Sequence, residues 1–232
     1  MLLVKADLNV DRVVGTSSGA YAGSLHCAGY QPHEIAKELC HVPPIRLLRF
    51  NFIFWNGFFL LDAVVERLRQ ILPPTFESLN KPLAVGVVNA KGEHQLLQSG
   101  PLPEAIAASG AIPLLFAPVT ITGNDQSPFL DGGIRDRTAL ELWRSTSAQQ
   151  RGTSLEKPAP AVVHLVARSS FFSGTEDACN VNARRVFLMK SKRSKRSLLG
   201  LGDYKQEMID TYDRLMPSME KTRDRLLERV RV

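Results

Sequence analysis

Apolar residues along this chain occur in short runs and in helical spacings, and the two patterns alternate. The runs Asp11–Val14, Pro82–Val88 and Ala161–Ala167 are rich in β-branched residues and predict buried strands. Between Asp62 and Leu72, apolar residues recur at intervals of three and four, which predicts a helix with Asp62 as its N-cap. Strands that alternate with helices indicate a layered α/β fold.

Proline and glycine positions divide the rest of the chain into further elements. The segment Ser145–Pro160 is polar and contains both residue types, so we expect a mobile loop there. The other helices are predicted at Gly19–Ser24, Gln31–His41, Pro101–Ala108 and Thr138–Arg144, and the other strands at His94–Gln98, Phe116–Thr122 and Pro128–Leu130.

One stretch, Phe50–Leu61, holds five of the eleven phenylalanines of the chain. Such a segment can line a pocket for an acyl chain, touch a membrane interface or simply fill the core. Its residue pattern does not choose among these alternatives.

Positive charge is concentrated at the C-terminal end of the chain. Residues 182–232 contain 14 Lys and Arg against 7 Asp and Glu, whereas the rest contains 15 against 16. The run Lys190–Arg196 fits a solvated loop, a contact with anionic lipid headgroups, or a nuclear-localisation or nucleic-acid patch. An amphipathic helix is expected from Tyr204 to Met219, with a break at Pro217. We therefore expect a main domain over residues 1–180 and a basic, helical extension over 181–232.

Length and composition are those of an ordinary globular protein, with 232 residues of which 44% are hydrophobic. The three cysteines form neither a CxxC pair nor a cluster with histidine, so we expect no disulfide framework, no metal site and no cofactor. Charges interrupt the first residues, Met1–Asp7, and no apolar run reaches the roughly 18 residues that span a bilayer. These features predict a cytoplasmic protein that at most lies against a membrane.

The sequence Gly15–Gly19 reads G-x-S-x-G and joins a predicted strand to a predicted helix. Such a turn exposes the serine hydroxyl at its tip, here that of Ser17. Since Gly15 and Gly19 lack a Cβ, we expect the strand and the helix to approach closely around a strained residue. The free N–H groups at a helix N-terminus can then stabilise an oxyanion. A glycine-rich turn with a solvated serine fits the same residues.

A serine nucleophile needs a base, and the sequence offers two candidates. Asp131 follows an apolar strand end and precedes Gly132 and Gly133, which allow a tight bend that brings its carboxylate near another backbone. An ordinary β-turn fits these residues too. His164 would give the Ser–Asp–His order of α/β-hydrolases, but its apolar neighbours indicate a strand histidine. Only sixteen residues precede Ser17, too few for the strands that precede an α/β-hydrolase nucleophile.

An early G-x-S-x-G followed by Asp-Gly-Gly resembles the patatin-like phospholipase family. The resemblance covers about residues 7–167 and includes Ala108–Phe116, Ser99–Leu102 and Gly57–Leu72. It implies a three-layer α/β/α fold with a mostly parallel central sheet. It also implies a lipid acyl hydrolase in which Ser17 is the nucleophile and Asp131 the base, without histidine or cofactor. The expected partners are a lipid or phospholipid substrate and a membrane surface, and no nucleic acid.

The sequence departs from the family at one point. Members carry a loop Gly-Gly-Gly-x-Arg/Lys-Gly before the nucleophile, whose N–H groups build most of the oxyanion hole, and this chain has none before Ser17. The N–H of Ser18 remains as one donor, and losing one donor can cost about 10²–10³ in rate. The departure implies a fragment, a weakened enzyme, or a lipid-binding pseudoenzyme that keeps the fold without turnover.

Overall fold

A computed structural model of the chain describes residues 10–151, 160–166 and 185–191, together with 206, 208–217 and 220. The chain divides into two compact units, one formed by Arg12–Pro158 and one by Met1–Asp11 with Ala159–Val232. The domain boundary expected at residue 180 lies outside the described residues, as does the basic run beyond Ser191.

The larger unit alternates short strands with helices, as the apolar pattern predicts. Its strands are β1 Val13–Gly15, β2 Arg49–Phe50, β3 Phe59–Leu60, β4 Leu83–Val88, β5 His94–Leu97 and β6 Leu130–Asp131; its helices are α1 Ser18–Cys27, α2 Pro32–His41, α3 Asp62–Ile71, α4 Leu102–Ser109 and α5 Leu140–Arg151. In the described part of the chain, no helix is long and apolar enough to cross a bilayer.

Strand β4 is the centre of the main sheet, and all six of its residues are buried. One edge of β4 pairs with β5 in antiparallel register. The opposite edge of β4 pairs with two strands. Strand β1 runs parallel to β4 and ends with Gly15 opposite Val85. Strand β6 runs antiparallel to β4, with Asp131 opposite Val87. The α/β class is confirmed, but this sheet is mixed rather than mostly parallel. The short turn after Val88 leaves room only for an antiparallel neighbour.

In the core of the larger unit, α1 and α4 pack against this sheet, and α3 packs against α4. Helix α4 is buried along almost its whole length, and its small residues let it lie close to β4. The large side chains in this core include Leu25, Leu68, Leu102 and Phe129.

The smaller unit contains β7 Ala161–Val166 and β8 Val186–Ser191, which pair in parallel. Strand β7 is only half buried, since Val163 and Leu165 are covered while His164 and Val166 are exposed. Residues 208–217 are helical, and Leu215 packs near Met189.

Three local predictions need correction. Residues 145–151 continue helix α5 instead of forming a loop, because every Pro and Gly of the expected loop follows Arg151. Asp62 is the first residue of α3 and not its cap; its carboxylate lies at the positive end of the helix. Phe116–Thr122 forms no continuous strand but isolated bridges, among them Val119 opposite Phe129. The break expected at Pro217 is a separate case: Pro217 is the last residue of the described helical stretch, and residues 218 and 219 lie outside the described residues.

Candidate active site

Ser17 occupies a strained turn between β1 and α1. Its backbone has φ 54° and ψ −124°, a combination that residues other than glycine rarely adopt. A Cβ on Gly15 would lie 2.6 Å from the Cα of Ala20, so only glycine permits this close approach of strand and helix. Gly19, by contrast, faces open space, and its expected steric role is wrong. This turn, called the elbow below, has the sharp strand-to-helix geometry that the G-x-S-x-G pattern predicts.

The first turn of α1 begins directly after Ser17 and provides the N–H of Ser18 as a main-chain donor. The carbonyl of Ser17 accepts from the N–H groups of Ala20 and Tyr21 at 2.9 and 3.2 Å. Ser18 is the first helical residue, so its N–H has no acceptor within the helix. This N–H is a donor of the kind that can stabilise an oxyanion formed next to Ser17.

A buried serine from another helix fixes the backbone of the elbow. Ser109, the last residue of α4, is fully buried. Its Oγ accepts from the N–H of Ser17 at 2.8 Å and donates to the carbonyl of Gly86 at 2.7 Å. The hydroxyl therefore ties the strained residue to the central strand. Sequence reasoning assigned Ser109 no role, because a partner 92 residues away leaves no local signal.

Asp131 approaches the elbow along the same edge of β4. Since β1 ends opposite Val85 and β6 pairs with Val87, the two strands meet end to end at Gly86. A Cβ on Gly132 would lie 2.5 Å from the carbonyl carbon and oxygen of Gly86, so the chain can turn here only at a glycine. Asp131 itself is 5% exposed.

The carboxylate of Asp131 is held by the loop that follows it. Its Oδ1 accepts from the N–H of Gly133 at 2.7 Å. A Cβ built on Gly133 would lie 3.1 Å from that oxygen and 3.6 Å from the Cγ2 of Thr16. The carboxylate of Asp131 and the side chain of Thr16, which precedes Ser17, therefore both lie next to Gly133. The register of the sheet therefore places the loop of Asp131 next to the turn of Ser17, the two candidate regions of the sequence.

An apolar cavity of about 250 Å³ opens beside the elbow. Ser17 and Ser18 are part of its wall, and so are Arg67 and Glu38, which form a salt bridge. Burial raises the pKa of Tyr21, which also lines the cavity. Most of the remaining lining is apolar: Leu39, Val42, Leu47, Leu48, Leu61, Val64, Leu68, Ile106, Ala107 and Phe116. Such a wall suits a hydrocarbon chain next to a polar reacting group.

Two buried polar atoms lie beside Gly86 without a hydrogen-bond partner among the described residues, the Oγ1 of Thr16 and the Nε2 of His94. Burial lowers the pKa of His94, while Asp136 raises it and Arg135 lowers it to smaller extents. The folded chain therefore keeps this imidazole neutral at a pH where the unfolded chain protonates it.

Acidification should destabilise the fold through His94. Because the unfolded chain binds more protons as the pH falls through about 6.5, the stability contributed by the neutral ring is present above that pH and lost below it. We expect the Tm to fall between about pH 7.5 and about pH 5.5, and His94→Gln to make that fall smaller. The pKa of His26 is also lowered by burial, so part of the slope should remain. Calorimetry of both proteins across this range is the measurement, and identical slopes would contradict the role of His94.

His164, the alternative base, belongs to the smaller unit. Its Nε2 lies 2.9 Å from the Oγ of Ser191 on the paired strand. This is the strand-face position that its apolar neighbours predict. Ser17 and Asp131, in contrast, are both residues of the larger unit.

Comparison with known families shows the family of the chain. Residues 3–142 match the family model described as patatin-like phospholipase. This match covers more than half of the chain, and the protein belongs to the patatin-like phospholipase family.

The individual proteins that resemble the chain share limited sequence identity with it. Uncharacterized NTE family proteins of Mycobacterium bovis and Mycobacterium tuberculosis are 34% identical to the chain over 128 residues, which is 53% of this chain and 34% of theirs. The matched region thus spans about a third of the length of these relatives. The crystal structure of VipD from Legionella pneumophila superposes with a TM-score of 0.50 at 14% identity, covering 96% of this chain and 63% of VipD. This likeness concerns the fold.

Proposed function

We propose that this protein hydrolyses acyl esters of lipids, with Ser17 as nucleophile and Asp131 as its base. The observation that carries the proposal is the strained elbow of Ser17, which opens on an apolar cavity while Asp131 approaches along the same edge of β4. Membership of the patatin-like phospholipase family supports the same class of substrate.

The reaction proceeds through an acyl-enzyme. The carboxylate of Asp131 takes the proton of Ser17 Oγ as this oxygen attacks the ester carbonyl. The N–H of Ser18 donates to the oxyanion that develops. The intermediate then collapses, and the alcohol part of the lipid leaves with the proton from Asp131. A water molecule, deprotonated by Asp131, attacks the acyl–Ser17 ester, and the fatty acid leaves as Ser17 regains its proton.

The apolar wall of the cavity gives a place for the acyl chain during this reaction. Leu61, Leu68 and Phe116 lie on the wall that Ser17 shares, so a chain bound there has its ester at the polar end. Burying each methylene is worth about 0.8 kcal/mol, which favours long acyl chains until the cavity is full.

The test is release of fatty acid from phosphatidylcholine and from monoacylglycerol by the whole chain. We expect the wild type to release fatty acid and the Ser17→Ala variant to release none. Saturable binding of the same lipids without release, by a folded wild type, would overturn the proposal in favour of a lipid-binding pseudoenzyme.

Ser109 should affect the rate of this reaction, because its hydrogen bonds hold Ser17 in position. Ser109→Ala removes the acceptor for the Ser17 N–H and a donor to Gly86, each such hydrogen bond being worth about 1 kcal/mol. We expect kcat to fall by roughly tenfold while KM stays within a few-fold, because the elbow and not the acyl cavity is disturbed.

The matched control for Ser109 is Ser24→Ala. Ser24 is also fully buried in a helix, but its hydroxyl donates only to the carbonyl of Tyr21 in its own helix. Kinetics of both variants with a soluble ester separate the two serines. Equal losses of kcat in the two variants would show that any buried serine has this effect and that Ser109 has no positioning role.

A further inference from the structure

The most exposed apolar side chains of the described residues cluster in one short segment. This segment, the aromatic hairpin, comprises residues 49–60 and is formed by β2, a 3₁₀ turn and β3. Phe52 is 89% exposed and Trp55 77%, and Phe50, Ile53 and Phe58 are about half exposed or more. Leu114, whose carbonyl accepts from the N–H of Phe58 at 3.1 Å, is 80% exposed. Soluble proteins rarely leave such a contiguous apolar patch facing water.

Hydrogen bonds and a close backbone contact fix the conformation of the aromatic hairpin. The buried side chain of Asn51 accepts from the N–H of Ile53 at 3.0 Å and donates to the carbonyls of Ile53 and Gly57 at 3.1 and 2.8 Å. Gly57 has φ 109°, and a Cβ there would lie 2.3 Å from the carbonyl carbon of Phe116. These contacts fix the turn, so its apolar side chains are held outward without a further ordering cost.

The aromatic hairpin is continuous with the wall of the cavity. Its second strand is hydrogen-bonded to Leu115 and Ala117, at 3.0 and 2.9 Å from Phe59. Phe116, between these two residues, lines the cavity, and so does Leu61, which follows the strand directly. A lipid surface that touches the aromatic hairpin would therefore lie near an apolar space that reaches Ser17.

Within residues 42–61 of the sequence, every charged residue is positive, and the first acidic residue after them is Asp62, in α3. Residues 42–61 contain Arg46 and Arg49 and no Asp or Glu. Both arginines are exposed. Aromatic side chains flanked by cations are the composition of segments that bind at the interface of anionic membranes. A second protein surface would need acidic groups to match, whereas an anionic bilayer supplies phosphates and hydrocarbon together.

We propose that the aromatic hairpin is a docking surface for an anionic phospholipid bilayer, into which Phe52, Ile53 and Trp55 insert while Arg46 and Arg49 contact headgroup phosphates. The link from this surface to hydrolysis rests on the proposed function, whereas docking itself does not.

Trp55 allows a direct test, since Trp143 is the other tryptophan of the chain. The Nε1 of Trp143 has no hydrogen-bond partner among the described residues, so Trp143→Phe should be tolerated. In a protein that carries Trp143→Phe and Ser17→Ala, we expect Trp55 emission to shift to the blue when vesicles of equimolar phosphatidylcholine and phosphatidylglycerol are added. Vesicles of phosphatidylcholine alone should give a weaker response at the same lipid concentration.

Variants of the aromatic hairpin should weaken the docking by predictable factors. Phe52→Ser with Ile53→Ser should reduce vesicle affinity roughly tenfold or more, because two apolar side chains are lost from the contact. Arg46→Gln and Arg49→Gln should each reduce affinity for the anionic vesicles about fivefold. The matched controls are Ile209→Ser and Lys91→Gln, exposed residues outside the aromatic hairpin, which should change affinity little.

Three results would overturn the proposal. One is an unshifted Trp55 spectrum with no co-sedimentation with anionic vesicles. A second is equal vesicle affinity of the wild type and the Phe52→Ser, Ile53→Ser variant. A third is a Trp55 spectrum that is already shifted without lipid in a protein that light scattering shows to be a dimer, which would mean that a second copy covers the surface. Failure of the proposed function would appear instead as absent hydrolysis of a soluble ester by the wild type, a result that leaves vesicle binding unaffected.

Discussion

Replacing Ser17 with alanine is expected to lower ester hydrolysis by roughly 10³-fold or more, to a rate near that of buffer. The reason is that the Ser17 hydroxyl alone forms the covalent bond to the acyl group in the proposed reaction. Fatty-acid release and hydrolysis of a soluble ester measure the effect. The matched control is Ser78→Ala, an exposed serine away from the elbow, which should retain the wild-type rate.

Ser17→Gly separates loss of chemistry from loss of fold. Glycine adopts φ 54° at little cost, whereas serine is strained there. We therefore expect Ser17→Gly to be inactive and yet at least as resistant to thermal unfolding as the wild type. An active Ser17→Gly protein would contradict the nucleophile assignment, and a marked loss of stability would contradict the strain.

Asp131→Asn is expected to reduce kcat by roughly 10²-fold or more, because the amide keeps the shape of the side chain but cannot take the proton of Ser17. The amide of this variant still has a carbonyl oxygen that can accept from the N–H of Gly133, so the loop should persist. Steady-state kinetics with a soluble ester, together with circular dichroism, make the measurement.

Two controls define what the Asp131 result means. Asp125→Asn changes an exposed loop aspartate in the same manner and should leave kcat unchanged. His164→Gln should act on stability, since His164 is hydrogen-bonded to Ser191 on a neighbouring strand. Loss of activity in a folded His164→Gln protein, with Asp131→Asn active, would establish the histidine as the base.

The elbow was predictable because its determinants are local. A β-branched strand end, two glycines around Thr16–Ser18 and a helix of small residues all lie within about a dozen positions, so the sequence pattern alone indicates the turn. The Asp131 loop was predictable for the same reason, since an apolar strand end and two glycines directly flank Asp131 in the sequence.

Non-local features were beyond the reach of the sequence pattern. The hydrogen bonds of Ser109 join the elbow to β4 across 92 residues, and no spacing rule connects them. The pairing of β1 and β6 along one edge of β4 depends on the whole sheet, and so does its mixed direction.

The aromatic hairpin shows where composition misleads. Apolar residues usually indicate a core, and the stretch from Phe50 to Leu61 fitted a core, a pocket or an interface equally well. In the structure Leu61 lines the cavity, while Phe52 and Trp55 are exposed. The decisive residues are Asn51 and Gly57, whose hydrogen bonds and positive φ build a turn that holds the aromatic rings outward.

The roles of Ser17 and Asp131 are tested most directly by locating a fluorophosphonate adduct by mass spectrometry. Only an activated serine hydroxyl reacts readily with such a probe. We expect one adduct in the native protein, on Ser17, which forms much more slowly in Asp131→Asn and is absent after unfolding. An adduct on another serine, or a folded wild-type protein that hydrolyses lipid esters while Ser17 stays unmodified, would contradict these roles.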